Sequence, residues 1–278
     1  KIPNPSSGAP TPTPSSPPPN AGIESLSQST RPEGFGELVK AMNHALTFVI
    51  PLRSSTTTKD WDPVCRAFRG TLHSLLNQSS RTWRCIVACH EVPSHIPNDE
   101  RIKIIPVDFA SPFIGGNYHS DKHEKLKTGL SYYYGNPTSM YMILDADDVV
   151  HRELVKFVIK RSPKNYLVRH GYVYNGGKFL RAHRGNFDQL CGSVCISTHK
   201  DFMEGRIPLF EGHQNIRHSK TIEEDFEAIP FYAVVKCVGY GQNWTRTDFF
   251  WAKTFRRTVR NALMMRPITN KIRQQFSI

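Results

Sequence analysis

The sequence predicts an α/β domain built on a mixed, mostly parallel central sheet, and three observations carry that reading. Between residues 46 and 144, short apolar runs alternate with segments of helical period, a β-α-β rhythm. Met140–Leu144 is a continuous apolar run, the pattern of a strand buried on both faces, and it stops abruptly at Asp145, Asp147 and Asp148. Beyond Asp148 the pattern loosens into hairpin-like and polar segments, as expected of a less regular second half on the same sheet.

Taken in order, residues 1–33 are rich in Pro, Ser, Thr and Gly, have little to bury, and read as a disordered linker. A short helix over Phe35–Asn43 precedes a strand, Leu46–Leu52, with Pro51 and Arg53 at its carboxyl end. Val64, Phe68, Leu72, Leu75 and Leu76 share one face of a helix over Pro63–Gln78. Strands follow at Trp83–Ala88, leading to Cys89-His90-Glu91, and at Arg101–Val107. Residues 121–134 read as a helix carrying Lys122, Lys125 and Lys127, ahead of the strand that enters Asp145. Tyr166–Tyr174 and Gly177–Ala182 read as a hairpin turning at Asn175-Gly176. An apolar segment at Gly192–Ile196, a loop with His213 and His218, and an acidic cluster, Glu223–Asp225, opening a helix come next. A last strand, Ala233–Val238, runs into Gly239–Thr245. The domain is expected to span 34–245, with 246–278 as a basic amphipathic tail in which Trp251, Phe255, Val259 and Leu263 form one apolar stripe.

The chain of 278 residues can bury a sizeable core. No stretch reaches the roughly 20 apolar residues that span a bilayer, and no secretory signal opens the chain. Six cysteines without C-x-x-C spacing read as buried thiols, which argues against a zinc site or a disulfide framework and for a cytoplasmic location. Two sequons, at Asn77 and Asn243, keep a lumenal location open. The formal charge of +12 favours polyanionic partners, and eight basic residues against Asp248 alone place most of it in the tail. A phosphorylated donor and peripheral contact with an anionic membrane fit that charge; nucleic acid is not expected, because no motif beyond charge supports it.

Carboxylates two residues apart at the end of a buried strand repel each other unless a cation lies between them. A hard divalent ion, Mn²⁺ or Mg²⁺, is the simplest answer and brings phosphate ligands with it. The alternative for the same residues is a solvated turn in which Asp147 or Asp148 caps a helix over His151–Lys160. Likewise, Glu223–Asp225 reads equally as chemistry or as an acidic first turn.

Four segments together resemble an inverting family-2-type glycosyltransferase of the GT-A, Rossmann-related three-layer α/β/α fold: the first strand with Pro51, Leu72–Gln78, Leu144-Asp-Ala-Asp-Asp148, and Glu224-Asp225-Phe226. The resemblance covers residues 45–245. It implies a nucleotide-sugar donor, a UDP-sugar, and transfer to the hydroxyl of a glycan, lipid-linked or protein acceptor. Pro51, Arg53 and Glu91 would hold the nucleoside, with Ala146 beside it. Asp145 would lie near the ribose or the metal, Asp147 would bind the metal, and Asp225 would be the catalytic base. Lys125, with Lys122, would add charge beside the diphosphate; Glu224, His213 and Asp148 are further candidates. Tyr240–Thr245 lacks the Arg or His that such enzymes often carry there, for which His213 or Arg246 would substitute. Two other classes remain. A haloacid-dehalogenase-like phosphatase would use Asp145 as nucleophile and Asp147 as general acid. A non-enzymatic protein would bind anionic surfaces through its tail.

Overall fold

The computed structural model of the protein describes residues 45–113, 118–132, 139–161, 163–207, 226–238 and 263–278. The expected linker, the helix over Phe35–Asn43, His213, His218, Glu223–Asp225, the loop 239–245, Arg246 and the apolar stripe from Trp251 to Val259 lie outside the described residues.

Apolar runs buried on both faces form the centre of the larger sheet. β1 (Leu46–Pro51) lies between β2 (Trp83–Cys89) and β4 (Met140–Ile143), parallel to both, and β3 (Ile102–Pro106) continues the parallel set beyond β2. On the other side of β4 the sheet turns mixed: β9 (Cys195–Thr198) is antiparallel to β4 and to β6 (Asn165–Leu167), and β10 (Phe226–Ala228) is parallel to β6. The order is β10-β6-β9-β4-β1-β2-β3. The predicted fold class is therefore found: mixed α/β with a mostly parallel central sheet.

The second half departs from the expectation of one shared sheet. β5 (Val149–Val150), β7 (His170–Tyr174), β8 (Phe179–Arg184), β11 (Val234–Cys237) and β12 (Met265–Pro267) form a separate five-stranded sheet, in the order β12-β8-β7-β11-β5. The expected strand Tyr166–Tyr174 is split between the two sheets at Val168, whose N–H donates to Val194 O before the chain crosses over. The helix expected after Glu223–Asp225 is not found at 226–228: Phe226–Ala228 pairs with the open edge of β6 as β10. The helix expected over His151–Lys160 is the shorter α3, Leu154–Ile159, and its N-cap is Glu153 rather than either aspartate.

Helices α1 (Asp62–Leu76) and α2 (Tyr118–Tyr132) pack on this framework. Gly129 brings α2 close to the sheet: a Cβ there would stand 2.6 Å from Val49 Cγ1. α1 starts with Pro63 in its first turn and buries Val64, Phe68, Leu72 and Leu75. Polar groups on the same helix and just past its end satisfy the backbone leading out of β4. Thr71 Oγ1 donates to Ala146 O at 2.9 Å, Ser74 Oγ accepts from Val150 N–H, and Gln78 bridges His151 O and Val155 N–H. Each such group left unpaired in the interior would cost about 1–3 kcal/mol, so α1 fixes the course of residues 146–155.

The chain after Leu263, expected as tail, is built into the smaller sheet. β12 pairs with β8, and Phe276 of α4 (Asn270–Phe276) packs with Val149, Leu180, Val235 and Cys237. All six cysteines are buried free thiols, as expected.

His151 links these parts. Its ring packs edge-on to Phe276 and against Phe231, and Nδ1 accepts from the Glu153 N–H at 3.1 Å. Burial lowers its pKa to about 4; the Arg152 charge acts in the same direction and Glu153 opposes it. A depressed imidazole pKa means that its contribution to stability is complete above the unfolded value near 6.5 and is lost as pH falls through 4. The loss amounts to roughly 3 kcal/mol. Urea unfolding at pH 7 and pH 4 is expected to show this drop in the native protein and a clearly smaller one in His151→Asn. Equal pH dependence in the two proteins would show that the imidazole is not held neutral.

Candidate active site

The carboxyl ends of β1, β2 and β4 share one edge of the sheet, and the candidate residues collect there. Asp148 N–H donates to Asp145 O at 3.1 Å, closing a tight turn that displays Asp145, Ala146 and Asp147. Asp148 faces inward and is 1% exposed. Its Oδ2 accepts from Ser193 Oγ at 2.7 Å and from Cys191 Sγ at 3.2 Å, and its Oδ1 from the Cys237 N–H at 3.2 Å. The hydroxyl of Ser193 also accepts from Asp145 N–H at 2.9 Å. Asp148 is thus a structural tie, neither a solvated acid nor a helix cap.

Asp145 and Asp147 remain partly open to solvent. Lys122 Nζ lies 2.5 Å from Asp145 Oδ1. Burial disfavours the Lys122 charge, yet Asp145, with Asp147 and Asp148 behind it, raises its pKa. The carboxyls of Asp147 and Asp148 are pushed up by burial and by neighbouring carboxylates, Asp148 and Asp145 acting on Asp147 and Asp145 acting on Asp148. Lys236 moderates both while its Nζ donates to Leu190 O. Three carboxyl groups and two lysines thus meet at this turn. Gly192 crosses so near that a Cβ there would stand 2.9 Å from Asp145 Oδ2.

Beside this turn lies a second constellation. Glu91 accepts from Ser54 Oγ at 2.8 Å, Ser55 Oγ at 2.9 Å and Ser55 N–H at 3.1 Å. Burial alone would raise its pKa, but these donors lower it. Arg53 folds back on Thr57, donating to Oγ1 at 2.8 Å and to the carbonyl at 2.7 Å. Arg53 and Glu91 therefore brace the 3-10 turn at Ser55–Thr57, just beyond Pro51 at the end of β1. Lys125 points elsewhere than expected of a residue beside a diphosphate: it is fully buried, 2.8 Å from Asp121 Oδ2, and burial lowers its pKa. Asp121 also bonds His90 Nε2 at 2.8 Å, tying α2 to the end of β2.

The sequence reading did not single out Cys191, Ser193, Lys236, Asp121 or His90. One signal was available for Lys236, a lone cation in the apolar strand Val-Val-Lys-Cys. Among the described residues, no group of three or more His, Cys, Asp or Glu side chains forms a ready metal cage. The residues present suit a cation bound in another manner. Two partly exposed carboxylates, one of them disfavoured in its charged form by its neighbours, match a hard ion that completes its shell with phosphate oxygens and water.

The inward and outward aspartates separate by experiment. Asp148→Ala is expected to lower stability by about 2–3 kcal/mol in urea unfolding, because it strands the Ser193 and Cys237 donors. Asp147→Ala is expected to leave stability unchanged or slightly raised, since it removes a repelled charge. Similar losses in both variants would contradict this division of roles.

No family model and no curated protein matches the sequence. Among solved structures, the chain aligns with the apo-form glycosyltransferase GlyE of Streptococcus pneumoniae at 11% identity and a TM-score of 0.38, covering 78% of this chain and 58% of that one. It aligns with Rv0371c of Mycobacterium tuberculosis at 10% identity and a TM-score of 0.37, covering 78% and 97%. With the 2-C-methyl-D-erythritol 4-phosphate cytidylyltransferase of Francisella tularensis the identity is 8% and the TM-score 0.37, covering 74% and 96%. The chain therefore spans less than two thirds of the length of GlyE. At this level of similarity the likenesses assign neither a family nor an activity.

Proposed function

We propose that the protein is a glycosyltransferase that moves a sugar from a nucleotide-sugar donor, a UDP-sugar, to an acceptor hydroxyl with inversion at the anomeric carbon. The observation that carries this reading is the acidic turn at the end of β4, where Asp145 and Asp147 stand partly exposed beside Lys122. Asp147, with Asp145, would hold Mn²⁺ or Mg²⁺. Bound there, the ion would offset the negative charge that develops on the departing diphosphate.

The chain's own groups would do the rest. Arg53 and Glu91 brace the Ser55–Thr57 turn, which would form one wall of the nucleoside pocket with Pro51. Lys122 would add positive charge beside the diphosphate. The acceptor oxygen would attack the anomeric carbon as the bond to the diphosphate oxygen breaks, and the hydroxyl proton would pass to Asp225 as general base. Glu224, His213 and Arg246 are the other groups of the sequence reading proposed near the acceptor or the leaving group. The acceptor would be a glycan, lipid-linked or protein hydroxyl. Among the described residues no helix is long and apolar enough to cross a membrane, and peripheral contact of the basic segment with an anionic surface is part of the proposal.

Calorimetric titration with UDP in the presence of Mn²⁺ is expected to give saturable binding that is weakened at least about tenfold by EDTA or by Asp147→Ala, a change of about 1.4 kcal/mol. GDP and dTDP are expected to bind more weakly, and a generic phosphate ester is expected not to be hydrolysed. Metal-independent binding that Asp147→Ala leaves intact would refute the site. Phosphate release through Asp145 would replace the reading with the phosphatase one.

A further inference from the structure

The smaller sheet carries a second polar cluster toward its β8–β12 edge, opposite the edge at which Asp148 leads into β5. β7 and β8 pair with His170 opposite Arg184 and Tyr172 opposite Ala182, while β12 places Arg266 opposite Leu180. Side chains alternate along a strand and directly paired residues share a face. His170, Tyr172, Leu180, Arg184 and Arg266 therefore lie on the same side of the sheet. Tyr232, just ahead of β11, stacks on Tyr172 with ring centroids 4.4 Å apart and planes 15° from parallel. A cavity of about 410 Å³ opens beside this stack, lined by Arg184, Asn186, Tyr232, Leu263, Met264 and Arg266 among others.

The charge in this region is unbalanced. Arg184 and Arg266 have no carboxylate partner among the described residues, and the recorded bonds of Arg266 are from one guanidinium nitrogen, Nη1, to the Leu263 and Met265 carbonyls. Arg169, outside the cavity lining, donates from Nε and Nη2 to Gly185 O and has Asp188 3.9 Å away. The field registers on His170, whose pKa is lowered by burial and then by Arg184 and Arg169. Arg184 and Arg266 both line the cavity, and a guanidinium presents a planar fork of donors that matches an oxyanion. The other walls are Ala182, Asn186, the Tyr232 ring, Leu263 and Met264, and the ring and apolar side chains suit the C–H face of a sugar. The volume falls in the range of small-molecule sites.

We propose that this cavity binds an acidic sugar, either a sugar phosphate or a uronic acid, with its oxyanion between Arg184 and Arg266 and its ring against Tyr232. The site is separate from the acidic turn. Tyr232 precedes β11, whereas Cys237 at the other end of that strand bonds Asp148. Five residues of extended chain set the two on the order of 15 Å apart. The inference does not depend on the donor site.

The test is titration of the full chain, followed by calorimetry or by chemical shifts, with glucose 6-phosphate, glucuronic acid, glucose and inorganic phosphate, all with EDTA present. The expected result is saturable binding of one or both acidic sugars, no binding of glucose, and weaker binding of inorganic phosphate. A preference for the sugar phosphate or for the uronic acid identifies the source of the oxyanion. Arg184→Gln, at an exposed position, is expected to weaken binding about tenfold without moving the urea midpoint, and Arg266→Gln is expected to act similarly, a loss typical of a charge-assisted hydrogen bond. Asp147→Asn is expected to bind as the native protein does. No binding of either acidic sugar, undiminished binding by both arginine variants, or inorganic phosphate binding as tightly as the sugars would overturn the proposal.

Discussion

One buried carboxylate holds the architecture around the candidate site together. Asp148 receives hydrogen bonds from Ser193 and Cys191, which precede β9 of the larger sheet, and from the backbone of Cys237 in the smaller one. The next residue, Val149, opens β5 of the smaller sheet. A single side chain thus fastens the point at which the chain leaves one sheet and enters the other. An ionised carboxylate without compensation would not be kept in such a place. With these donors and Lys236 close by, it is held, and the Asp145–Asp147 turn inherits a fixed frame. Its neighbours Asp145 and Asp147 stay partly exposed on the turn that it anchors.

The parts of the fold that were legible in the sequence are those where one residue pattern decides burial. β1, β2 and β4 appear as apolar runs because both of their faces are covered, and α1 is legible from the spacing of Val64, Phe68, Leu72 and Leu75. What could not be read depends on distant backbone. Tyr166–Tyr174 looks like one strand, and only the bond from Val168 to Val194 shows that it changes sheets. Phe226–Ala228 follows acidic residues that suit a helix start, yet the free edge of β6 recruits it as a strand. The site was legible to a similar degree. Asp145, Asp147 and Asp148 stand out as a group, but their different roles do not, because the partners of Asp148 lie 45 and 89 positions away. Lys122 and Lys125 sit three residues apart on one helix; packing sends the first to Asp145 and the second to Asp121.

The smaller sheet separates charge across its width. Asp148 leads into β5 at one edge, whereas Arg184 and Arg266 lie on β8 and β12 at the other, with the Tyr172–Tyr232 stack between them. Leu180, Val235 and Phe276 pack together in the buried core of this sheet.

The pairing of Lys122 with Asp145 has a thermodynamic consequence. The acidic turn already has an occupant, an ammonium 2.5 Å from the carboxylate that an incoming cation would contact. Uptake of the proposed ion at Asp145 would therefore be an exchange, with the lysine released as the ion arrives. The liberated ammonium would then be available to an anionic ligand entering with the ion, so that arrival of the two would be favourably linked.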